Sequence, residues 1–407
     1  MVSVFTLTKQ ALTSLAFALL AQGFVIPGGP ENEKRNGAGF VSLDFNVVRD
    51  APHLNTTHVN TSDHNLASHA AKFVPLTLDN LGPTYVANIT IGSNKQPQTV
   101  QIDTGSSDLW VFDIDLECEN GLSCFGDGSR FNPKTSTTFE SLGTKFSIEY
   151  ADHSTSEGTW AKDTVGFGGI SITKQQFADV NLTSSTNAIM GISVVGSESH
   201  QLGYDNVPIT LKKQGIIKTN AYSLFLNEPE AATGQIIFGG VDHAKYSGSL
   251  IEEEIQTTVP QRLAINLNEL NFNGTKYNIS TPALLDSGTT LTYLEKNVAD
   301  SLAAKVGAVW FPLPTGGAYV LGCGAGASGD ALFTFEKGAA IRVPMSEFYY
   351  GQGLCTFGVQ PIPEELGISA LLGDNFLRHA YVLYNLDANT ISLAPVNFTD
   401  KSDIEAI

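Results

Sequence analysis

The sequence predicts a mostly β chain folded as two β-rich lobes, and three observations carry that expectation. First, 407 residues exceed what one hydrophobic core usually fills. Second, short alternating or β-branched runs such as Tyr85–Ile91 and Thr99–Ile102 are bounded by Gly, Asn and Pro, whereas the best helical patterns are Pro208–Gln214 and Asn297–Val306. Third, one short pattern occurs twice. Val100-Gln101-Ile102-Asp103-Thr104-Gly105-Ser106 is echoed 183 residues later by Ala283-Leu284-Leu285-Asp286-Ser287-Gly288-Thr289. Each copy is followed by an apolar-apolar-Gly segment, Ile189-Met190-Gly191 in the first half and Leu371-Leu372-Gly373 in the second.

Composition narrows the function classes. With 42% hydrophobic and 16% charged residues the chain reads as globular and not disordered. Its net charge is −18, and residues 1–72 carry five basic and five acidic groups, so the excess negative charge lies on residues 73–407. That argues against nucleic acid or an anionic membrane as partner. It suits an acidic medium, where protonation of carboxylates relieves their mutual repulsion.

Taken in order, residues 1–23 have Lys9 ahead of the apolar stretch Ala11–Ala21 and read as a secretory signal peptide, which places the protein outside the cell. No other window reaches transmembrane length, and the polar end Asp400–Ile407 gives no expectation of a lipid anchor. Lys34-Arg35 reads as an exposed dibasic processing site. His53, His58, His64 and His69 fall in one short segment, whose hold is expected to loosen as they protonate below about pH 6.5. Four cysteines in a secreted chain imply two disulfides with three possible pairings; local spacing favours Cys118–Cys124 and Cys323–Cys355, and a zinc site is the weaker alternative because no histidine lies near them. Glycosylation sequons stand at Asn55, Asn60, Asn88, Asn181, Asn273, Asn278 and Asn397.

The repeated loop carries the chemistry. A carboxylate closing an apolar strand is costly to ionise unless donors face it, and the hydroxyls and backbone N–H groups of the following Thr/Ser-Gly-Ser/Thr supply them. Two such carboxylates face to face hold one proton between them over a range of acid pH. The ionised member takes a proton from a water held between them, while the protonated one donates to a carbonyl oxygen as that water attacks. This is amide hydrolysis by side chains and water, so neither a cofactor nor a metal is expected.

The motifs make the likeness specific. Asp103-Thr104-Gly105-Ser106-Ser107-Asp108-Leu109-Trp110-Val111, Lys162 to Gly169, Tyr204 to Pro208 with Leu211 to Gly215, Gly234 to Gly240, Leu285 to Thr290 and Leu372 to Arg378 resemble the pepsin-type aspartic proteases. Among these the likeness is to the candidapepsins, secreted acid proteases of yeasts, and it covers residues 73–396. The resemblance implies a bilobal pepsin-like fold: signal peptide 1–23, prosegment 24–72, N-terminal lobe 73–250 and C-terminal lobe 251–407. It implies a monomeric endopeptidase of broad specificity that acts on proteins and peptides at acid pH and is made as a zymogen. The prosegment would be its intramolecular inhibitor, with Ala38–Phe45 lying across the cleft as a borrowed strand. The family's second dibasic site is absent where Ala70-Ala71-Lys72 stands.

Residue by residue, the resemblance makes Asp103 and Asp286 the catalytic pair. Thr104 and Ser287 would bond across the lobe junction, Gly105 and Gly288 complete the loops, and Ser106 and Thr289 would donate to the outer carboxylate oxygens. Tyr150 would belong to a flap over the substrate, packed near Trp110, followed by Ala151 where the family has Gly and by Asp152, placed to meet a basic substrate side chain. Ile189 and Thr290 would line the cleft. Gln101 stands where relatives carry an aliphatic residue, and two readings apply: a more polar pocket wall, or a hydrogen bond within its own loop. A processing protease selective for basic residues and a silent protease-fold binding protein are the competing expectations; the intact loops weigh against the second.

Overall fold

The computed structural model describes residues 39–48, 83–119, 129–196, 199, 203–313, 316–323 and 328–407. The expected signal segment, Lys34-Arg35, the four clustered histidines, Asn55, Asn60, Ala70-Ala71-Lys72 and Cys124 lie outside these. The first half gives strands β1 (Val41–Val48), β2 (Thr84–Ile91), β3 (Gln96–Asp103), β4 (Leu109–Cys118), β5 (Glu140–Glu149), β6 (Thr155–Phe167), β7 (Ile170–Thr183) and β8 (Ala188–Gly191). Helix α1 (Val207–Lys213), β9 (Ala221–Phe225), β10 (Thr233–Phe238) and β11 (Gly240–Asp242) follow. The second half begins with β12 (Ile251–Glu254), β13 (Ala264–Phe272), β14 (Thr275–Leu285), β15 (Thr292–Leu294) and α2 (Lys296–Val306). It continues through β16 (Val309–Leu313), β17 (Gly316–Gly322), β18 (Asp330–Phe335), β19 (Ala340–Pro344), β20 (Tyr349–Gln352), β21 (Leu354–Phe357) and β22 (Val359–Pro361). Last come β23 (Ala370–Leu372), α3 (Asp374–Leu377), β24 (Ala380–Asn385), β25 (Thr390–Pro395) and β26 (Ile404–Ala406).

The largest sheet has the order β12-β25-β24-β9-β10-β1-β2-β3-β8-β4-β7-β6-β5, so the end of the chain returns to pair with its first half through Val382↔Leu224 and Tyr384↔Tyr222. A second sheet, β19-β18-β13-β14-β23-β15-β22, carries the other copy of the repeated motif. The two halves are built alike where it matters. β8 is threaded between β3, to which it is parallel, and β4, to which it is antiparallel; β23 sits in the same way between β14 and β15. Each strand is also covered on both faces, every one of these residues being buried, which is why Ala188-Ile189-Met190 and Ala370-Leu371-Leu372 are continuous apolar runs. The glycine ending each run is required by space: a Cβ on Gly191 would lie 2.5 Å from Asp108 N, and one on Gly373 2.3 Å from Thr289 O.

Strand β1 lies inside the large sheet, paired on one side with β10 and on the other with β2, rather than laid over the cleft. Val41, Leu43 and Phe45 point into the core and Asp44 away from it. Phe45 meets Tyr85 edge-on at 5.5 Å, and a Cβ on its cross-strand partner Gly234 would come within 2.2 Å of its ring. Burial of three such side chains stabilises the strand's position by roughly 1.5–3 kcal/mol each.

Both expected helices form, one residue earlier than their sequence patterns begin. Pro208 stands in the first turn of α1, where its missing N–H costs nothing. α2 stops at Gly307, whose left-handed φ of 77° turns its N–H back to Ala303 O and Ala304 O. Cys323 is bonded to Cys355 at a sequence separation of 32, a loop whose closure is worth about 3–4 kcal/mol against the unfolded chain. Cys118 is also disulfide-bonded. Asn88, Asn181, Asn273, Asn278 and Asn397 are exposed, although Asn88, Asn181 and Asn278 lie on strands.

Candidate active site

Asp103 ends β3 and the chain turns at Asp286 just past β14, each after an apolar run anchored in the core. Beyond them turn chemistry takes over. The Gly105 N–H donates to Asp103 Oδ1 at 2.7 Å and the Ser106 hydroxyl donates to Oδ2. In the other loop the Gly288 N–H donates to Asp286 Oδ1 at 2.8 Å and the Thr289 hydroxyl to Oδ2 at 2.8 Å. Each carboxylate thus has a backbone donor on one oxygen and a hydroxyl on the other.

The two loops interlock. A Cβ on Gly105 would lie 2.5 Å from Asp286 Oδ1, and one on Gly288 would lie 2.5 Å from Asp103 Oδ1. Neither glycine is needed for a left-handed φ; each lets its backbone rest on the opposite carboxylate. Underneath, the Thr104 hydroxyl donates to Leu285 O at 2.8 Å and accepts from Ser287 N at 2.9 Å. In return the Ser287 hydroxyl donates to Ile102 O at 2.9 Å and accepts from Thr104 N at 3.2 Å. All four groups are buried, so each bond is expensive to leave unmade.

Asp103 and Asp286 are 5% and 7% exposed. Burial, and after it the Asp286 carboxylate, holds the Asp103 carboxyl well above the ordinary range, against the pull of Ser106 and Gly105. The threaded strands fix the loops from below: Ile192 N donates to Asp103 O at 2.9 Å, Asp286 N to Leu372 O at 3.0 Å, and Asp374 N to Thr289 O at 2.8 Å.

The hairpin of β5 and β6 brings Tyr150 to the same region. Its hydroxyl accepts from the indole N–H of the fully buried Trp110 at 2.7 Å. Burial pushes its phenol well above the ordinary value, and the Asp103 carboxylate adds to the push. At the hairpin tip, Tyr150 N donates to Ser154 O and His153 N to Tyr150 O, both at 2.9 Å. The left-handed residue of that turn is His153, with φ 64°; Ala151 is exposed and has no positive φ, so the turn does not demand glycine there. Asp152 spends Oδ1 on Ser154 N at 2.9 Å.

Gln101 is hydrogen-bonded, but across the lobes and not within its own loop: Nε2 donates to Gly288 O at 3.3 Å. Ile189 is its neighbour on β8 and Thr290 follows the second loop; both are buried.

One group at the site went unread in the sequence as a functional feature. Asp374, first residue of α3, is buried behind the second loop, and burial pushes its carboxyl far up, against Arg378 and with the two site carboxylates. Arg378 in turn is bonded to Glu347 and near the Tyr85 and Tyr350 hydroxyls, with His379 Nε2 3.4 Å from Glu347 Oε1. The only signal was charge inside the otherwise apolar Leu371–Leu377 stretch.

Residues 84–396 match the family described as Eukaryotic aspartyl protease. Full-length relatives agree. The chain is 48% identical to Secreted aspartic protease 8 of Candida albicans and 46% identical to Candidapepsin of Candida tropicalis, with all of both chains covered in each case. It is 47% identical to Candidapepsin-2 of Candida parapsilosis over 96% of this chain and 92% of that one. With two interlocked Asp-[Thr/Ser]-Gly loops at the junction of two β-rich halves, the chain belongs to the eukaryotic aspartyl proteases, and within them to the candidapepsin group.

Proposed function

We propose that Asp103 and Asp286 form the reacting pair of this aspartic endopeptidase and that a water held between them attacks the scissile carbonyl. The observation that carries the reading is the reciprocal contact of each loop glycine with the opposite carboxylate, which leaves the two acids facing one small space. The pair keeps one proton into a pH range where isolated carboxyls have lost theirs. The ionised member takes the proton of the water and the other protonates the carbonyl oxygen; the leaving amine then takes a proton and departs. Ser106 and Thr289 hold the outer oxygens, Thr104 and Ser287 hold the loops, and the Tyr150 hairpin closes over the peptide.

The protein acts outside the cell as an acid protease, in keeping with relatives named as secreted aspartic proteases. We assign residues 1–23 to export, 24–72 to an inhibitory prosegment, and the mature enzyme to 73–407, a monomer acting on proteins and peptides with broad specificity. Once the chain is cut after it, β1 would be held in the sheet only by its pairing with β10 and β2 and by the burial of Val41, Leu43 and Phe45.

The test is hydrolysis of a denatured protein between pH 2.5 and 7, with and without a statine-type inhibitor, by the wild type and by Asp103→Asn. Activity that peaks in acid, is blocked by the inhibitor and is lost in the variant is expected. A correctly processed but inactive wild type would overturn the reading.

A further inference from the structure

Gln101 occupies a place where its chemistry is not required by the fold. It sits on β3 between the buried Val100 and Ile102, so its side chain shares the opposite face with Asp103, two residues on. Its neighbours across the sheet are Val86 on β2 and Ile189 on β8, both aliphatic and both less than a tenth exposed. Gln101 itself is half-buried. An aliphatic residue would complete that wall, and a half-buried amide is retained at a desolvation cost unless it is bonded.

The bond it makes leads into the second loop. Nε2 donates to Gly288 O at 3.3 Å, and Gly288 is the residue whose N–H holds Asp286 Oδ1 and whose Cα rests against Asp103 Oδ1. Because the acceptor is a carbonyl, the amide has one chemically sensible orientation: nitrogen toward Gly288, oxygen away from it. The oxygen is then a fixed acceptor in an apolar wall beside the reacting pair.

Resting on the assignment of Asp103 and Asp286 above, we infer that Gln101 is a specificity-determining residue that selects peptides carrying a hydrogen-bond donor on the side chain beside the scissile bond. A donor side chain satisfies Oε1, whereas an aliphatic or phenyl one strips water from it and leaves it unpaired. A site built around a buried polar atom discriminates against the analogue lacking the partner by more than it gains from the bond itself. Gly288 adds the second half of the inference: the amide is anchored there, so it does not swing aside for an apolar residue at no cost.

The experiment compares matched peptides that differ at this one residue, Tyr against Phe and Lys against norleucine, on the mature enzyme at pH 4–5. Wild type is expected to favour the donor member of each pair in kcat/KM by about tenfold. Gln101→Leu should abolish or reverse the Tyr/Phe preference and raise kcat/KM for Phe. A tyrosine hydroxyl can donate to a carboxylate as well, so it is loss of the preference in Gln101→Leu that separates Gln101 from Asp152. A wild type that shows no preference in either pair overturns the inference without any variant having to fold. A Gln101→Leu enzyme whose turnover falls equally for every peptide also overturns it, since that is loss of loop position and not of selection. Failure of the underlying reading looks different: no acid proteolysis by the wild type at all.

Discussion

Replacing Thr104 by Val removes one oxygen and adds one methyl at the centre of the interlock between the lobes. The lost hydroxyl makes two bonds, to Leu285 O at 2.8 Å and from Ser287 N at 2.9 Å. Both partners are buried, with Ser287 1% and Leu285 0% exposed. A stranded buried N–H costs about 1–3 kcal/mol and the weakened carbonyl about another 1, against a few tenths regained from the methyl, so the net loss is about 2–4 kcal/mol. The reactivity loss is separate: a shift of about 1 Å between the loops costs about a hundredfold in turnover. Stability is read by urea unfolding in an Asp103→Asn background, so that self-digestion does not enter, and turnover in the active background. Thr104→Ser keeps the hydroxyl and is expected to stay within about 1 kcal/mol of wild type, because only a methyl is removed. If Thr104→Val cost less than about 1 kcal/mol and kept its turnover, or if Ser fell as far as Val, the clasp would not be what holds the carboxylates in register.

Three further outcomes are expected. Burial, and beside it Asp113, pushes the Asp179 carboxyl up to about 8; the folded state therefore binds this proton more tightly than the unfolded chain. Its contribution is full below the unfolded value of about 4 and is lost as pH rises toward 8, by at most about 1.4 kcal/mol per pH unit. Asp179→Asn should flatten the loss of stability between pH 4 and 8 in urea melts, and an unchanged slope would count against that assignment. For Glu347 burial pushes upward, but His379 and Arg378 override it and hold the carboxyl below its ordinary value, so its contribution is present at neutral pH and lost as pH falls. Arg378→Met strands that charge, with Glu347 only 9% exposed, and should cost about 3–5 kcal/mol at pH 6–7 and less at pH 3; an equal cost at both would refute the electrostatic account. Tyr150→Phe takes the acceptor from the Trp110 indole N–H and should lower kcat/KM about tenfold, as judged by steady-state peptide hydrolysis.

What the sequence made legible were features encoded locally and twice. The Asp-[Thr/Ser]-Gly loops, the apolar-apolar-Gly strands and the Cys323–Cys355 pairing are each written in a few adjacent residues or a short loop. What stayed hidden depends on partners far along the chain. The pairing of β24 with β9 joins residues 382 and 224, and periodicity within either strand carries no trace of the other. The Gln101 bond to Gly288 spans 187 residues, so the sequence offered only the polar residue and not its target. At the tip of the β5–β6 hairpin the absent glycine drew attention to Ala151, yet the left-handed φ falls at His153, because a turn's register is set by its hydrogen bonds and not by a missing residue. β1 likewise reads as an amphipathic strand from its alternation, but which sheet receives it is decided by β10 and β2.

The contacts between the two loops have the reciprocity of a two-fold axis. Thr104 reaches Leu285 as Ser287 reaches Ile102, and Gly105 rests on Asp286 as Gly288 rests on Asp103. This is the isologous pattern of a symmetric dimer, here within one covalent chain. Fusion gives such an interface a freedom that two identical subunits lack, since a change in one half no longer forces the same change in the other. Gln101 and its counterpart Leu284, each two residues before its aspartate, show such a difference: one is a half-buried amide bonded across the lobes, the other a hydrocarbon buried in the core. The two acids therefore sit in unlike surroundings although the contacts that clasp their loops are alike.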